Sequence, residues 1–141
     1  MIKINLIDEV GLEKEQIKVL KKVLRLAHRI VKPHKSIINV IFVDDATIHQ
    51  MNLQYREIDR PTDVLSFENT DPGKEMGDVF ISIDKAKAQA EEYGHPLRRE
   101  IAFLSCHGYL HCNGYDHHTP EEEQVMFALQ DQILNKAKIT R

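Results

Sequence analysis

The sequence contains few cysteines, no long apolar run and no strong excess of charge. Its two cysteines, Cys106 and Cys112, do not form the repeated spacing of a disulfide-stabilised secreted domain. No apolar stretch approaches the roughly 18–20 residues that a transmembrane helix requires. The N-terminal segment MIKINLIDEV alternates apolar with polar side chains, unlike a signal peptide. These absences predict a cytoplasmic protein with free thiols and no membrane partner.

The net charge of −3 provides no general attraction to nucleic acid, which would therefore have to bind at a local basic patch. The chain of 141 residues has the size of one ordinary domain. Its 42% hydrophobic and 29% charged residues are typical of globular proteins. Because it also lacks internal repeats, low-complexity tracts and long linkers, we expect residues 1–141 to form a single domain.

Hydrophobic periodicity and turn residues predict four strands and five helices. The strands are expected at residues 2–7, 37–43, 63–67 and 78–83. The helices are expected at residues 13–32, about 44–55, 84–94, about 97–112 and about 119–137. Asp44 or Asp45, Asp84 and a capping box beginning at Thr119 are the expected N-caps, and Pro96 suits a first turn.

The order of these elements predicts an α+β fold, with one mixed sheet of about four strands and about five helices packed on it. The third and fourth strands are separated by the turn-forming segment ENTDPGKEMG. A connection that short predicts antiparallel pairing of these two strands. The pattern does not define the strand order.

A histidine cluster, HGYLHCNGYDHH at residues 107–118, carries the clearest chemical signal. His107 and His111 are one helical turn apart and share one helix face, close enough to bind one ion. Gly114 can end the helix and reverse the chain, so that His117 approaches the same ion. Three imidazoles and one water complete a tetrahedral zinc site with an open position, which is typical of catalytic zinc.

The spacing His-x3-His-x2-Gly-x2-His is that of the metzincin proteases. Those enzymes have a glutamate directly after the first histidine as the general base. Here that residue is Gly108, which cannot transfer a proton. We therefore do not expect peptide hydrolysis by the metzincin route.

Alternatives remain for the residues around the cluster. His118 is a second candidate for the third ligand, and all of the histidines could be ordinary helix-face residues. Cys106 and Cys112 are each adjacent to a histidine ligand, so on a helix they point away from the ion and suit packing. Asp116 could hydrogen-bond a ligand or handle a proton, or it could simply turn the loop.

Two other segments contain candidate RNA-binding residues. In NLQYREIDRPTDVLSF at residues 52–67, Arg56 falls at a helix end and Arg60 in the next loop. A guanidinium near the metal would bind phosphate and stabilise negative charge, although such residues are usually solvated. The first helix has a basic stripe, which is either a solvated face or a track for an RNA backbone. Its candidate residues are Lys18, Lys22, Arg25 and Arg29.

The motifs HGYLHCNGYDH and NLQYREIDRPTDVLSF, the latter followed by GDVFIS, together resemble those of the YbeY family of metal-dependent endoribonucleases. The resemblance involves specific residues over 39–118 and element order over the whole chain. It implies a fold related to the zincins, one zinc ion on His107, His111 and His117, and a functional arginine at Arg56. Cys112 departs from the family, which more often has an apolar residue such as leucine there.

The resemblance further implies that the protein cleaves single-stranded RNA. The implied process is 3′-end maturation of small-subunit ribosomal RNA and ribosome quality control, with ribosomal RNA and the small ribosomal subunit as partners. Asp116 and His118 are the candidates for proton transfer, and attack by the RNA 2′-hydroxyl is an open alternative. The rival functions are a metal hydrolase of another substrate and a non-catalytic ribosome-assembly factor with a structural zinc. The sequence does not indicate the oligomeric state.

Overall fold

Four strands form one mixed sheet in the computed structural model, which describes residues 1–139. They are β1 (Lys3–Asp8), β2 (Ile37–Val43), β3 (Val64–Glu68) and β4 (Glu75–Ser82). The strand order is β1-β2-β4-β3. β2 pairs in parallel with both β1 and β4, whereas β3 pairs antiparallel with β4, as the short connection predicts.

Five helices complete the described part of the chain and confirm the α+β prediction. They are α1 (Lys14–Val31), α2 (Asp45–Arg56), α3 (Ile83–Tyr93), α4 (Leu97–Cys112) and α5 (Pro120–Lys136). None of these helices has the length and apolar character needed to cross a membrane.

The predicted helix starts are partly correct. The Asp44 carboxylate accepts a hydrogen bond from a first-turn N–H of α2, and the Thr119 hydroxyl does the same in α5. The assignment of Asp84 as the cap of α3 is wrong, because Ser82 is the cap and Asp84 lies in the first turn. Pro96 is the N-cap of α4 and not part of its first turn. Both errors place the helix start within two residues of its actual position, where local patterns are least informative.

β4 begins at Glu75, earlier than the predicted start at Asp78. The extra residues continue the sheet, since Glu75 pairs with Ile37 of β2 and the Met76 carbonyl accepts a hydrogen bond from the Asn69 N–H. This pairing depends on residues that are distant in the chain and has no local signal.

The main core lies between one face of the sheet and helices α1 and α4. Leu24 of α1, Phe42 of β2 and Leu104 of α4 are fully enclosed there. α5 packs against α1 and α4. α2 covers part of the opposite sheet face, where Ile48 packs against Leu65 of β3. α4 is therefore held on several sides, which fixes the position of the residues near its C-terminal end.

α4 passes very close to the sheet at Gly108. A Cβ atom added there would lie 2.4 Å from Val79 Cγ1 and 3.2 Å from Ser66 Oγ. Separations this short exclude any side chain without movement of the helix. The position that carries the metzincin glutamate therefore faces the sheet in this protein, and packing requires the glycine.

Candidate metal centre and active-site pocket

The C-terminal end of α4 reverses the chain toward the histidine cluster. Gly114 has a positive φ of 88°. Its N–H donates to the His111 carbonyl at 3.1 Å, and the Tyr115 N–H donates to the Leu110 carbonyl at 3.0 Å. These two bonds form a Schellman motif, in which glycine takes the left-handed conformation. The turn directs residues 115–118 back along the helix end.

The structure brings together His107, His111 and His117. One ligand nitrogen from each lies within 4.8 Å of the others, and His107 Nε2 is 3.2 Å from His111 Nε2. His118, the alternative third ligand, does not join the group. Its ring is largely exposed and its Nε2 is 3.0 Å from an Asp116 carboxylate oxygen. Three converging imidazole nitrogens are a donor set that suits zinc.

Gln130 of α5 orients the His107 ring. The buried side-chain carbonyl of Gln130 lies 3.1 Å from His107 Nδ1. Because a carbonyl oxygen can only accept a hydrogen bond, Nδ1 carries the proton and Nε2 keeps its lone pair toward the cluster. Sequence reasoning missed this residue. The available signal was a polar residue at a core position of α5, between the buried Met126 and Ile133.

Burial favours neutral imidazoles in this cluster. It lowers the pKa of His107 to about 4, with repulsion from His111 as the next cause. Burial also lowers the pKa of His111, and the neighbouring His117 adds to that shift. Metal ions bind the neutral form of histidine, so the electrostatics of the two α4 histidines agree with a metal centre.

Asp116 turns the loop, one of the roles considered for it, and its carboxylate also lies near two histidines. One carboxylate oxygen accepts a hydrogen bond from the His117 backbone N–H at 2.8 Å, which shapes the loop. The same oxygen lies 4.0 Å from His111 Nδ1, and the other is paired with His118. Asp116 thus links the loop to two histidines at the edge of the cluster.

A pocket of about 600 Å³ opens beside the histidines. Its walls come from residues 62–68, which include all of β3, from the loop after α4, from Arg56 at the end of α2 and from Phe127 of α5. Arg60 is not part of this wall. The structure therefore places Arg56 on the same pocket as the three histidines and separates it from Arg60.

The two cysteines are buried, free and outside the histidine group. Burial raises the pKa of Cys106 and of Cys112 to about 12, so both are neutral thiols at physiological pH. The Cys112 sulfur lies about 4 Å from the Phe67 and Asp78 carbonyl oxygens, between α4 and the sheet. These contacts confirm that the cysteines are packing residues.

The basic stripe of α1 lies away from the pocket. Lys18, Lys22, Arg25 and Arg29 are all exposed, and none of them contributes to the pocket wall. A role for these residues in binding RNA remains a prediction.

Comparisons with known proteins show the family of this chain. Residues 3–138 match the family model described as Endoribonuclease YbeY. The chain belongs to the YbeY family. The Endoribonuclease YbeY of Acholeplasma laidlawii is 53% identical, covering 91% of this chain and 93% of that protein. The YbeY enzyme of Lactococcus lactis strain MG1363 is 44% identical, covering 98% and 99% of the two chains.

A solved structure has a similar fold. The solution structure of TM1509 from Thermotoga maritima superposes with a TM-score of 0.62 at 26% sequence identity. The alignment covers 96% of this chain and 92% of that one. The shared fold thus extends over almost the whole chain.

Proposed function

We propose that the protein is a zinc-dependent endoribonuclease specific for single-stranded RNA. Its proposed role is 3′-end maturation of small-subunit ribosomal RNA and ribosome quality control in the cytoplasm. The observation that supports this most strongly is the convergence of three histidines and Arg56 on one pocket in a YbeY-family chain. The proposed partners are single-stranded RNA, ribosomal RNA and the small ribosomal subunit.

His107, His111 and His117 would hold one zinc ion per chain. Three protein ligands leave a coordination position for water or substrate, which distinguishes catalytic from structural zinc sites. A zinc ion bound there would act as a Lewis acid that polarises a phosphoryl oxygen and lowers the pKa of bound water. The ordered Gln130–His107 hydrogen bond supports this assignment, because metal-binding histidines usually donate their second N–H.

Arg56 would bind the phosphate that is cleaved. Its guanidinium can donate two parallel hydrogen bonds to phosphate oxygens and offset the charge that develops in the transition state. The position at the C-terminal end of α2, on the pocket wall, gives it access to a phosphate beside the histidines. The exposed lysines and arginines of α1 would guide the strand electrostatically from outside the pocket.

Asp116 and His118 are the proposed proton-transfer groups. Packing at Gly108 removes the glutamate position of the metzincins, whereas Asp116 and His118 form a pair at 3.0 Å on the pocket wall. This pair would accept a proton from water or from the RNA 2′-hydroxyl. The chemical ends of the products distinguish the two, since 2′-hydroxyl attack leaves a 2′,3′-cyclic phosphate.

The test is cleavage of an end-labelled single-stranded RNA by wild type, His111→Ala and Arg56→Ala, purified identically with zinc. We expect the wild type to cut and both folded variants to lose most of the activity. Equal cleavage by all three would identify a contaminating nuclease and contradict the proposal. If none cuts and cobalt spectra show a fourth protein ligand, the non-catalytic assembly factor replaces the nuclease.

A further inference from the structure

Two exposed aromatic rings have no role in the steps above. Phe127 is part of the pocket wall, and Tyr55 lies beside Phe67 of that wall. Tyr55 has 60% of its surface exposed, and Phe127 has 39% exposed. Tyr55 directly precedes Arg56 at the end of α2, and Phe127 lies on α5 as part of the pocket wall. Aromatic rings whose faces are accessible at a groove are the side chains on which nucleic-acid bases stack.

The Tyr55 ring is supported from below by other aromatic rings. Its centroid is 5.5 Å from that of Phe67, in an edge-to-face arrangement with an angle of 71°. Phe67 in turn meets Phe80 edge to face at 5.9 Å. Phe67 is also part of the pocket wall. Such contacts fix the orientation of the Tyr55 ring while leaving most of its surface accessible.

Phe127 is placed beside the histidine cluster. Its ring centroid is 6.1 Å from that of His117, with an angle of 32° between the planes. Phe127 belongs to α5, whereas Tyr55 belongs to α2 and lies against Phe67 of the wall, next to Arg56 in the chain, so the two rings come from different elements. A chain that passes over the histidines and contacts Arg56 can therefore meet an aromatic ring near each of these two points.

We propose that Tyr55 and Phe127 are stacking platforms for unpaired nucleobases on either side of the cleaved phosphate. This inference rests on the proposed ribonuclease function and identifies how the site would select single strands. Once a phosphate lies at Arg56 and the histidines, the adjoining bases need a surface with an accessible π face. Aromatic side chains provide such surfaces and tolerate any base. Bases within a duplex are already stacked and cannot use them.

The test compares zinc-loaded wild type with Tyr55→Ala and Phe127→Ala in steady-state cleavage of a single-stranded RNA. Tyr55→Phe and Phe127→Tyr keep the rings as conservative controls. Tyr93→Ala removes an exposed ring on α3, an element that contributes no residue to the pocket wall, and is the matched surface control. We expect Tyr55→Ala and Phe127→Ala each to raise KM roughly tenfold or more, with a much smaller change in kcat, because stacking contributes mainly to binding.

A second substrate series separates stacking from a structural role. Single abasic nucleotides are placed in turn along the RNA, and the wild type should lose affinity at one position for each ring. Tyr55→Ala should bind equally well with or without the base that stacks on Tyr55 in the wild type. Phe127→Ala should show the same insensitivity at a different nucleotide, the one whose base stacks on Phe127. The ratio of single-stranded to duplex RNA cleavage should also be smaller for both variants than for the wild type.

Three results would overturn the inference while leaving the nuclease function intact. They are wild-type cleavage that ignores abasic positions, alanine variants that match Tyr93→Ala, and variants that lower kcat alone. A wild type that neither binds nor cuts single-stranded RNA would instead remove the proposed function together with the inference. Melting curves of all variants are the control that each one is folded.

Discussion

The two halves of the metal centre differ in how firmly the fold holds them. His107 and His111 lie on α4, which packs against the sheet and three helices, and Gln130 fixes the His107 ring. His117 is exposed and lies on the loop that follows Gly114. The comparison shows that packing and Gln130 hold the helix half, whereas the loop half is held mainly by the turn and by Asp116.

The largest expected effects come from two variants, one that removes a ligand from the helix half and one that removes a ligand from the loop half. We expect His107→Ala and His117→Ala to weaken zinc binding by more than about 100-fold, the upper end of what loss of an outer-shell partner costs. Only His107→Ala should also destabilise the metal-free protein, by about 1–3 kcal/mol, because it leaves the buried Gln130 amide without its partner. Competition with a chelating dye and urea unfolding in EDTA measure the two effects. His118→Ala is the matched control and should change neither quantity.

The two glycines near the cluster provide a second contrast. Gly108→Ala should lower the free energy of unfolding by about 1–3 kcal/mol and displace α4, because the new methyl meets Val79. Gly114→Ala meets no neighbouring atom but must keep a positive φ, which costs about 1–2 kcal/mol. Gly114→Asn should be milder than Gly114→Ala. Urea unfolding checks these values, and a Gly108→Ala protein as stable as wild type would contradict the close packing.

Gln130 tests the rigid half without removing a ligand. Gln130→Leu should weaken zinc binding about 10–100-fold, because the His107 ring loses the acceptor that orients it. Gln130→Glu keeps an acceptor and should retain most of the affinity. Equal losses in the two variants would show that Gln130 acts through packing alone. Zinc titration against a chelating dye provides the measurement.

The smallest expected effect lies far from the pocket, in the contact between α1 and α4. His28 Nδ1 is 3.3 Å from the Tyr109 hydroxyl, and burial lowers the pKa of His28, with the N-terminal charge as a further cause. A lowered folded-state pKa means that the unfolded chain binds the proton more readily. Stability is therefore fully present above the ordinary histidine pKa near 6.5 and decreases as pH falls below it. Urea unfolding from pH 7.5 to 5 should show a shallower decline for His28→Asn than for wild type.

Local patterns were sufficient to predict most of the fold and the convergence of the three histidines. The histidine spacing needs only one helix and one turn, so residues 107–117 contain the whole signal. The short turn-forming segment between the predicted third and fourth strands likewise predicted the antiparallel pairing of β3 and β4. These features depend on interactions between residues that are near one another in the chain.

Features that depend on long-range packing were not predictable. The strand order and the early start of β4 follow from pairing with β2, far away in the sequence. Gly108 is needed because α4 lies close to Val79 and Ser66 of the sheet, and His107 is oriented by Gln130 of α5. The positions of Phe127 in the pocket wall and of Tyr55 beside Phe67 of that wall depend on how α5 and α2 pack. No window of sequence contains these pairs.

The most direct test of the metal centre is the amount of zinc retained per folded chain after gel filtration, measured for wild type and His111→Ala. We expect one zinc ion per wild-type chain and almost none per chain of a folded His111→Ala variant. Retention of one ion by that variant would contradict the three-histidine site and, with it, the proposed mechanism.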